Sequence, residues 1–264
     1  MMQTGQAFGQ VQDALSFFRL AYDDFANYRA VMSRLSGFVD SVEAVDDLPS
    51  AQIEYTEKKF SVSSLTVRMP TDVPLVQDLN IELQPARSLL VRGPSGVGKT
   101  TLLRAVAGLW PYVDGKVVRP SSRHCLFLPQ KPYMPLGTLR AALYYPVAPV
   151  TGEEAAAILQ QCHLGHLVDK LDIEDDWSRI LSLGEQQRLA IGRVLANRPQ
   201  VVFLDEASSA MDEGLEHAMY GLLRESLPET ILVSVGHRST LLSFHTQELE
   251  LLGNGAWRLA DVTA

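Results

Sequence analysis

Two stretches of this 264-residue chain place residue types at a spacing suited to handling phosphate. The first is G-P-S-G-V-G-K-T, that is Gly93, Pro94, Ser95, Gly96, Val97, Gly98, Lys99 and Thr100, followed by Thr101. It fits the spacing G-x-x-x-x-G-K-[ST], in which glycines let the loop curl until successive backbone N–H groups point inward as an anion nest. Lys99 would reach the β- and γ-phosphates of a triphosphate, and Thr100 would hold Mg2+ through its hydroxyl. The second stretch is V-V-F-L-D-E, Val201 to Glu206. An apolar strand ending in acids is common and says little alone. Beside a phosphate loop it says more, because open parallel sheets bind ligands at the carboxyl ends of their strands. Asp205 would then complete the Mg2+ shell through water, and Glu206 would polarise an attacking water as general base.

The elements that must position these groups can be read from apolar patterning. The phosphate loop follows the apolar run S-L-L-V-R and precedes T-L-L-R-A-V-A, so it joins a strand to a helix whose N-terminus adds its positive end. Short apolar strands are expected at 60–69, 79–83, 88–92, 125–128, 201–204, 231–235 and 248–252, and helices at 100–107, 153–162, 185–197 and 213–227. Apolar strands separated by helices mean a parallel sheet covered on both faces. The fold class is therefore α/β from about residue 51 onward. Before it, residues 6–45 contain no Pro and carry two apolar rows with a spacing of seven: Val11, Phe18, Phe25, Met32 and Val39, and Ala14, Ala21, Tyr28 and Leu35. That pattern is a helix with an apolar seam, and about 35 helical residues would reach on the order of 50 Å. A coiled coil, a helix folded back on the domain, and a helix descending from a membrane bundle all fit the seam. Asp40 to Ser50 reads as a linker.

Composition bounds the rest. With 46% hydrophobic and 20% charged residues the chain can bury a sizeable core, which excludes disorder and disulfide scaffolds. A net charge of −8 argues against a broad nucleic-acid-binding face, so any polyanion must be held by a local device. Cys125 and Cys162 read as core residues of a reducing compartment. The start M-M-Q-T-G-Q-A-F has neither the basic end nor the apolar core of a secretion signal, and no run of 18 apolar residues occurs. The expected location is the cytosol or a membrane's cytosolic face.

Between the two phosphate motifs lies L-S-L-G-E-Q-Q-R-L-A-I-G-R-V-L-A, starting at Leu181, and with it the sequence resembles the ATP-binding cassette (ABC) family. Three further elements match in order: F-L-P-Q with Gln130 as the Q-loop, S-S-A-M-D at Ser208 to Asp212 as the D-loop, and H-R-S-T with His237 as the switch histidine. Lys99 and Gln130 are 31 residues apart, as are Glu206 and His237. The phrases P-Q-K-P-Y-M-P-L-G-T-L-R, D-D-W-S-R-I-L-S-L-G-E-Q-Q-R and S-V-G-H-R-S-T-L look like the subgroup of peroxisomal fatty-acyl half-transporters and SbmA/BacA-like bacterial transporters. Two departures stand out. V-R-M-P offers Met69 where many members place a Tyr to stack on adenine, and Leu183 replaces the second glycine of the common signature.

The resemblance implies a P-loop ATPase domain of ABC type over residues 51–264, with a mostly parallel core sheet, an antiparallel β subdomain and a helical subdomain. It also implies that residues 1–50 are the cytosolic continuation of a last transmembrane helix plus linker, the rest of the membrane domain lying outside this chain. ATP and Mg2+ would be its cofactors, with Gln130 joining Thr100 and Asp205 at the metal. A second copy of the chain would be its partner, head to tail, each copy's Ser182, Gly184 and Asp212 completing the other's nucleotide site. No nucleic-acid partner is expected. The implied location is the cytosolic face of the cell's inner membrane. Three readings stay beside it: a stand-alone ATPase subunit docking on a separate permease, a soluble ABC ATPase acting on ribosomes or DNA, and a remnant surviving as an interaction module.

Overall fold

The computed structural model describes residues 2–46, 51–150 and 152–262. The chain divides into two compact units, Met1–Leu48 and Pro49–Ala264. The first is a single helix, α1 (Met2–Asp46). It runs through Asp40–Asp46, which the acidic composition had suggested as linker; that stretch holds neither Pro nor Gly to stop it. The remainder of that linker, 47–50, lies outside the described residues. Phe25, Tyr28, Met32, Leu35 and Val39 of the expected seam are exposed. Among the described residues no helix is long and apolar enough to cross a membrane.

The second unit begins with β1 (Gln52–Tyr55), β2 (Phe60–Arg68), β3 (Pro74–Leu83) and β4 (Ser88–Arg92), then α2 (Lys99–Ala107) and β5 (Val113–Arg119). Next come β6 (Cys125–Leu128), β7 (Gly137–Thr138), α3 (Leu139–Tyr144), α4 (Glu154–Gln161), β8 (Glu174–Asp175), α5 (Trp177–Ile180) and α6 (Leu183–Asn197). The chain finishes with β9 (Val201–Asp205), α7 (Glu213–Ser226), β10 (Ile231–Val235), β11 (Gln247–Gly253) and β12 (Ala256–Asp261).

The main sheet has the order β12-β11-β4-β10-β9-β6, parallel throughout except for antiparallel β12 at one edge. Alternation along its strands divides the core in two. Leu90, Val202, Leu204 and Leu232 pack with the helices α3, α4, α6 and α7, whereas Leu89, Val91, Val201, Phe203 and Val233 pack with α2 and the smaller sheet. That smaller sheet, β1-β5-β2-β3, is antiparallel except for the β1–β5 pair. Its strands β1 and β5, like edge strand β12, escape an apolar reading: D-G-K interrupts β5, and β1 alternates with mostly exposed positions. Strand β3 starts five residues before the expected 79; the register shifts once on β2 beside Ser64 and once on β3 beside Asp78, both at positive φ, and the second shift breaks the alternation of β3 at Gln77 and Asp78.

Cys125 and Cys162 are buried and free, and burial pushes both thiols up, that of Cys162 to about 12. Two buried polar side chains tie segments of this unit together. Trp177, 2% exposed, donates its indole N–H to the Gly137 carbonyl at 3.1 Å and so ties α5, which leads into the signature segment, to β7. His245 lies 2.7 Å from the Leu241 carbonyl through Nδ1 and 2.9 Å from the Ser234 hydroxyl through Nε2. A carbonyl only accepts, so Nδ1 carries the proton and Nε2 accepts from Ser234. Burial, with the nearby Arg224 charge adding to it, holds the imidazole neutral and pulls its pKa down to about 4.

Trp177→Ala is expected to lower unfolding free energy by about 3–5 kcal/mol in urea titrations; a loss below about 1 kcal/mol would show that the indole does not hold this subdomain together. For His245, the unfolded chain takes up a proton that the folded chain refuses, so stability is full above about pH 6.5 and falls as pH drops toward about 4. The loss should total about 3 kcal/mol and be absent from His245→Gln. Equal acid-side losses in both chains would contradict it.

Candidate functional site

The site lies where four neighbouring parallel strands, β4, β10, β9 and β6, end on the same side of the sheet. Each delivers one part: β4 the phosphate loop, β10 His237, β9 Asp205 and Glu206, and β6 Gln130. The loop starts at Gly93 with φ 144, where an added Cβ would fall 2.5 Å from the Leu251 carbonyl of β11, so close approach and backbone angle both require glycine. Pro94, Ser95 and Gly96 are exposed, with Val97 and Gly98 half-buried behind them. Gly98, φ 108, caps α2, its carbonyl accepting from Leu102 N–H at 2.8 Å.

Lys99 opens that helix and is buried. Its ammonium donates to the carbonyls of Gly93 and Pro94, both at 2.9 Å, and so lies inside the curve of its own loop. Burial draws its pKa below the ordinary lysine value, against the opposing pull of Glu206 and Asp205. The Thr100 hydroxyl donates to Asp205 Oδ1 at 3.0 Å, and Thr101 follows half-buried in α2. Desolvation raises the Asp205 carboxyl above its ordinary value in spite of the Thr100 bond.

Glu206 leaves β9 with φ 50, an uncommon angle for a residue with a Cβ, held by its N–H donating to the Val235 carbonyl at 3.2 Å. One carboxylate oxygen accepts from Gln130 Nε2 at 3.1 Å; the other lies 3.1 Å from His237 Nε2. Because a carboxylate only accepts, His237 donates through Nε2. Thus Lys99, Thr100, Asp205, Glu206, Gln130 and His237 are gathered at one end of the sheet.

Ser182, Gly184 and Asp212 make no hydrogen bond to that group among the described residues. Ser182 caps α6 in a reciprocal box: its hydroxyl accepts from Glu185 N–H at 3.3 Å, while Glu185 Oε2 accepts from the Ser182 N–H at 2.9 Å and hydroxyl at 2.7 Å. Gly184 passes close to the D-loop, an added Cβ falling 3.1 Å from the Ala210 carbonyl. Asp212 caps α7 by accepting from Leu215 N–H at 2.8 Å. Met69 sits just past β2 and is exposed, as is Leu183.

Sequence reasoning passed over two connections. Gln187, fully buried in α6, donates to the Gln130 carbonyl at 2.8 Å and the Ser209 hydroxyl at 3.1 Å, and accepts from Ala210 N–H at 2.9 Å. One side chain so ties signature helix, Q-loop and D-loop. Its signal was available: it heads the row Ala190, Ile191 and Val194, a polar residue on an apolar helix face. The second connection is Glu216, 3% exposed, which accepts from the Ser208 hydroxyl at 2.5 Å and pairs with Arg238 at 3.2 Å, while Arg238 also donates to the Met211 carbonyl at 2.8 Å. Ser208, Glu216 and Arg238, with Glu206 and His237, line a cavity of about 190 Å³. Nothing in the sequence marks Glu216, one of two acids, with Glu213, in the exposed-looking first turn of a helix.

Comparison with known proteins agrees with this geometry. The profile of the family described as ABC transporter matches residues 76–209. An uncharacterized ABC transporter ATP-binding protein of Haemophilus influenzae is 48% identical over 227 residues, 85% of this chain and 38% of that protein. The human lysosomal cobalamin transporter ABCD4 is 36% identical over 79% of this chain and 37% of its own length. Among solved structures, a bacterial Atm1-family ABC exporter with ATP bound superposes with a TM-score of 0.68 at 22% identity, covering 89% of this chain and 45% of that one. The chain thus spans less than half the length of these proteins. With the phosphate loop, signature helix and paired acids in family order on a matching fold, the chain belongs to the ABC transporter family as an ATP-binding, ATPase domain.

Proposed function

We propose that this chain is the ATP-hydrolysing portion of a half-transporter, working as a head-to-tail pair at the cytosolic face of a membrane, with residues 51–264 binding nucleotide and residues 1–50 continuing a last transmembrane helix. The observation that carries the reading is the hold on Glu206: Gln130 and His237 each engage one of its oxygens at 3.1 Å, next to the Asp205–Thr100 pair at the foot of the phosphate loop.

Asp205 and Thr100 fit a Mg2+ site. A hard cation takes oxygen ligands and is held on few protein groups beside phosphate, and here a carboxylate and a hydroxyl lie 3.0 Å apart. The Asp205 carboxyl, destabilised by burial, gains from a neighbouring cation. Mg2+ when bound neutralises phosphate charge. The chain's own groups do the rest. The loop N–H groups and Lys99 hold the phosphates, and Gln130 and His237 fix the Glu206 carboxylate. Glu206 takes a proton from water as the water oxygen bonds to the γ-phosphorus and the β–γ bridging bond breaks. ADP and phosphate leave.

A loop that grips the triphosphate from one side leaves its other side to water. The Ser182 turn, at the N-terminus of α6 and without a hydrogen bond to its own phosphate loop among the described residues, suits the nucleotide of a second copy. Two-fold pairing would complete both sites at once. Movement at Gln130 would pass through Gln187 to the signature helix, so that nucleotide state reaches an attached membrane domain.

Glu206→Gln is expected to slow phosphate release by about 10²–10⁴-fold at a chain concentration where pairs form, with ATP still bound. Near-normal turnover would remove Glu206 as general base. Lys99→Ala should instead weaken ATP affinity itself, read by titration with a fluorescent nucleotide. Unchanged affinity would contradict the cradle.

A further inference from the structure

A third residue joins the capping box of the signature turn. His166, on the 3₁₀ turn Gly165–Lys170, places Nε2 3.0 Å from Glu185 Oε1. The other oxygen of the same carboxylate accepts both the N–H and the hydroxyl of Ser182. Glu185 therefore stands between an imidazole and the serine at the tip of α6. Burial would push its carboxyl up, but the bonds from Ser182 and His166 outweigh that and hold it below the ordinary range.

We propose that His166 is a positioning residue for the signature turn, acting through Glu185 to set how well Ser182 meets a second copy's triphosphate. This rests on the paired arrangement of the preceding section. The geometry gives the sign. With Glu185 charged, a negative group lies 2.7 Å from the hydroxyl that must turn to phosphate, and it both repels the anion and holds the hydroxyl's proton. A protonated His166 cancels that charge and draws the carboxylate toward itself, freeing the Ser182 hydroxyl to donate elsewhere. A neutral His166 does less of both.

The other groups around His166 are few. From α6 come Glu185 and Arg188, whose guanidinium is engaged by the His163 and Gly184 carbonyls at 2.6 and 3.4 Å. On its own segment stand His163, Asp169 and Lys170; α4, packed on this turn, offers the uncharged Gln160 beside Gly165. His166 is itself well exposed, so replacing it does not disturb the core.

The test uses the full chain carrying Glu206→Gln, which slows turnover, and reads by sedimentation the ATP concentration that half-saturates pairing. Three versions are compared: His166 intact, His166→Lys with a permanent charge, and His166→Gln with none. His166→Lys should pair at about two- to five-fold less ATP than His166→Gln, and the difference should vanish once Glu185→Gln is added, because the carboxylate carries it. Equal half-saturating concentrations for His166→Lys and His166→Gln, or a difference that survives Glu185→Gln, overturn the role of His166. Should the chain fail to pair with ATP at any concentration, or pair equally well with Ser182→Ala, the paired site itself is wrong and this inference goes with it.

Discussion

Two adjacent carboxylates at the end of one strand repel each other, and much of this domain is arranged around keeping Asp205 and Glu206 apart and differently employed. Asp205, the last residue of β9, is desolvated and turned to Thr100; Glu206 departs at φ 50 and is turned to Gln130 and His237. The left-handed angle costs about 1–3 kcal/mol and survives because β10, through the Val235 carbonyl, and two side chains fix it. Separation gives two acids two tasks: one beside the phosphate loop, one on the side facing the cavity that Ser208, Arg238 and Glu216 line.

That separation depends on strand order. Because β4, β10, β9 and β6 are neighbours and parallel, their ends lie side by side, and one short loop from each brings the parts within hydrogen-bond reach. A parallel sheet must be buried on both faces, and here helices cover one face while the smaller sheet and α2 cover the other. The helical side does more than cover. Its helix α6 carries the Ser182 turn at one end, and Gln187, one turn on, bonds the Q-loop and D-loop, so the helix cannot shift without moving both.

How much of this was legible in the sequence follows from how each part is made. Strands buried on both faces announce themselves as apolar runs, and S-L-L-V-R, V-V-F-L and I-L-V-S-V were found within a residue of their ends. The phosphate loop was legible because its chemistry needs fixed residue types at fixed spacing. Strands β1, β5 and β12 were not, since half-exposed edge and near-edge strands carry polar residues and glycine. The gathering of Gln130, Glu206 and His237 came from resemblance; a lone Gln or His has no pattern of its own. Gln187 shows only as a polar residue on an apolar helix row, which marks it as buried without saying what it bonds, and Glu216 has no local signal, because both roles depend on which loops fold over them.

One property of the assembled site bears on how it would work. Several groups suited to meeting phosphate are engaged by protein acceptors: Lys99 by the carbonyls of Gly93 and Pro94, Ser182 by Glu185, and His237 and Gln130 by Glu206. A buried donor left unsatisfied costs about 1–3 kcal/mol, so at buried Lys99 the two carbonyls supply partners that the fold would otherwise lack. A triphosphate does not fill ready-made gaps; it exchanges for these partners. Charge-assisted bonds to phosphate are roughly twice as strong as neutral ones, so the exchange of carbonyl for phosphate at Lys99 runs toward binding. At Ser182 the resident partner is itself a carboxylate, and the exchange is closer to even. On the proposed pairing, the loop half of the site would load first and the signature half would respond to whatever changes the charge on Glu185, making pairing the adjustable step and binding the fixed one.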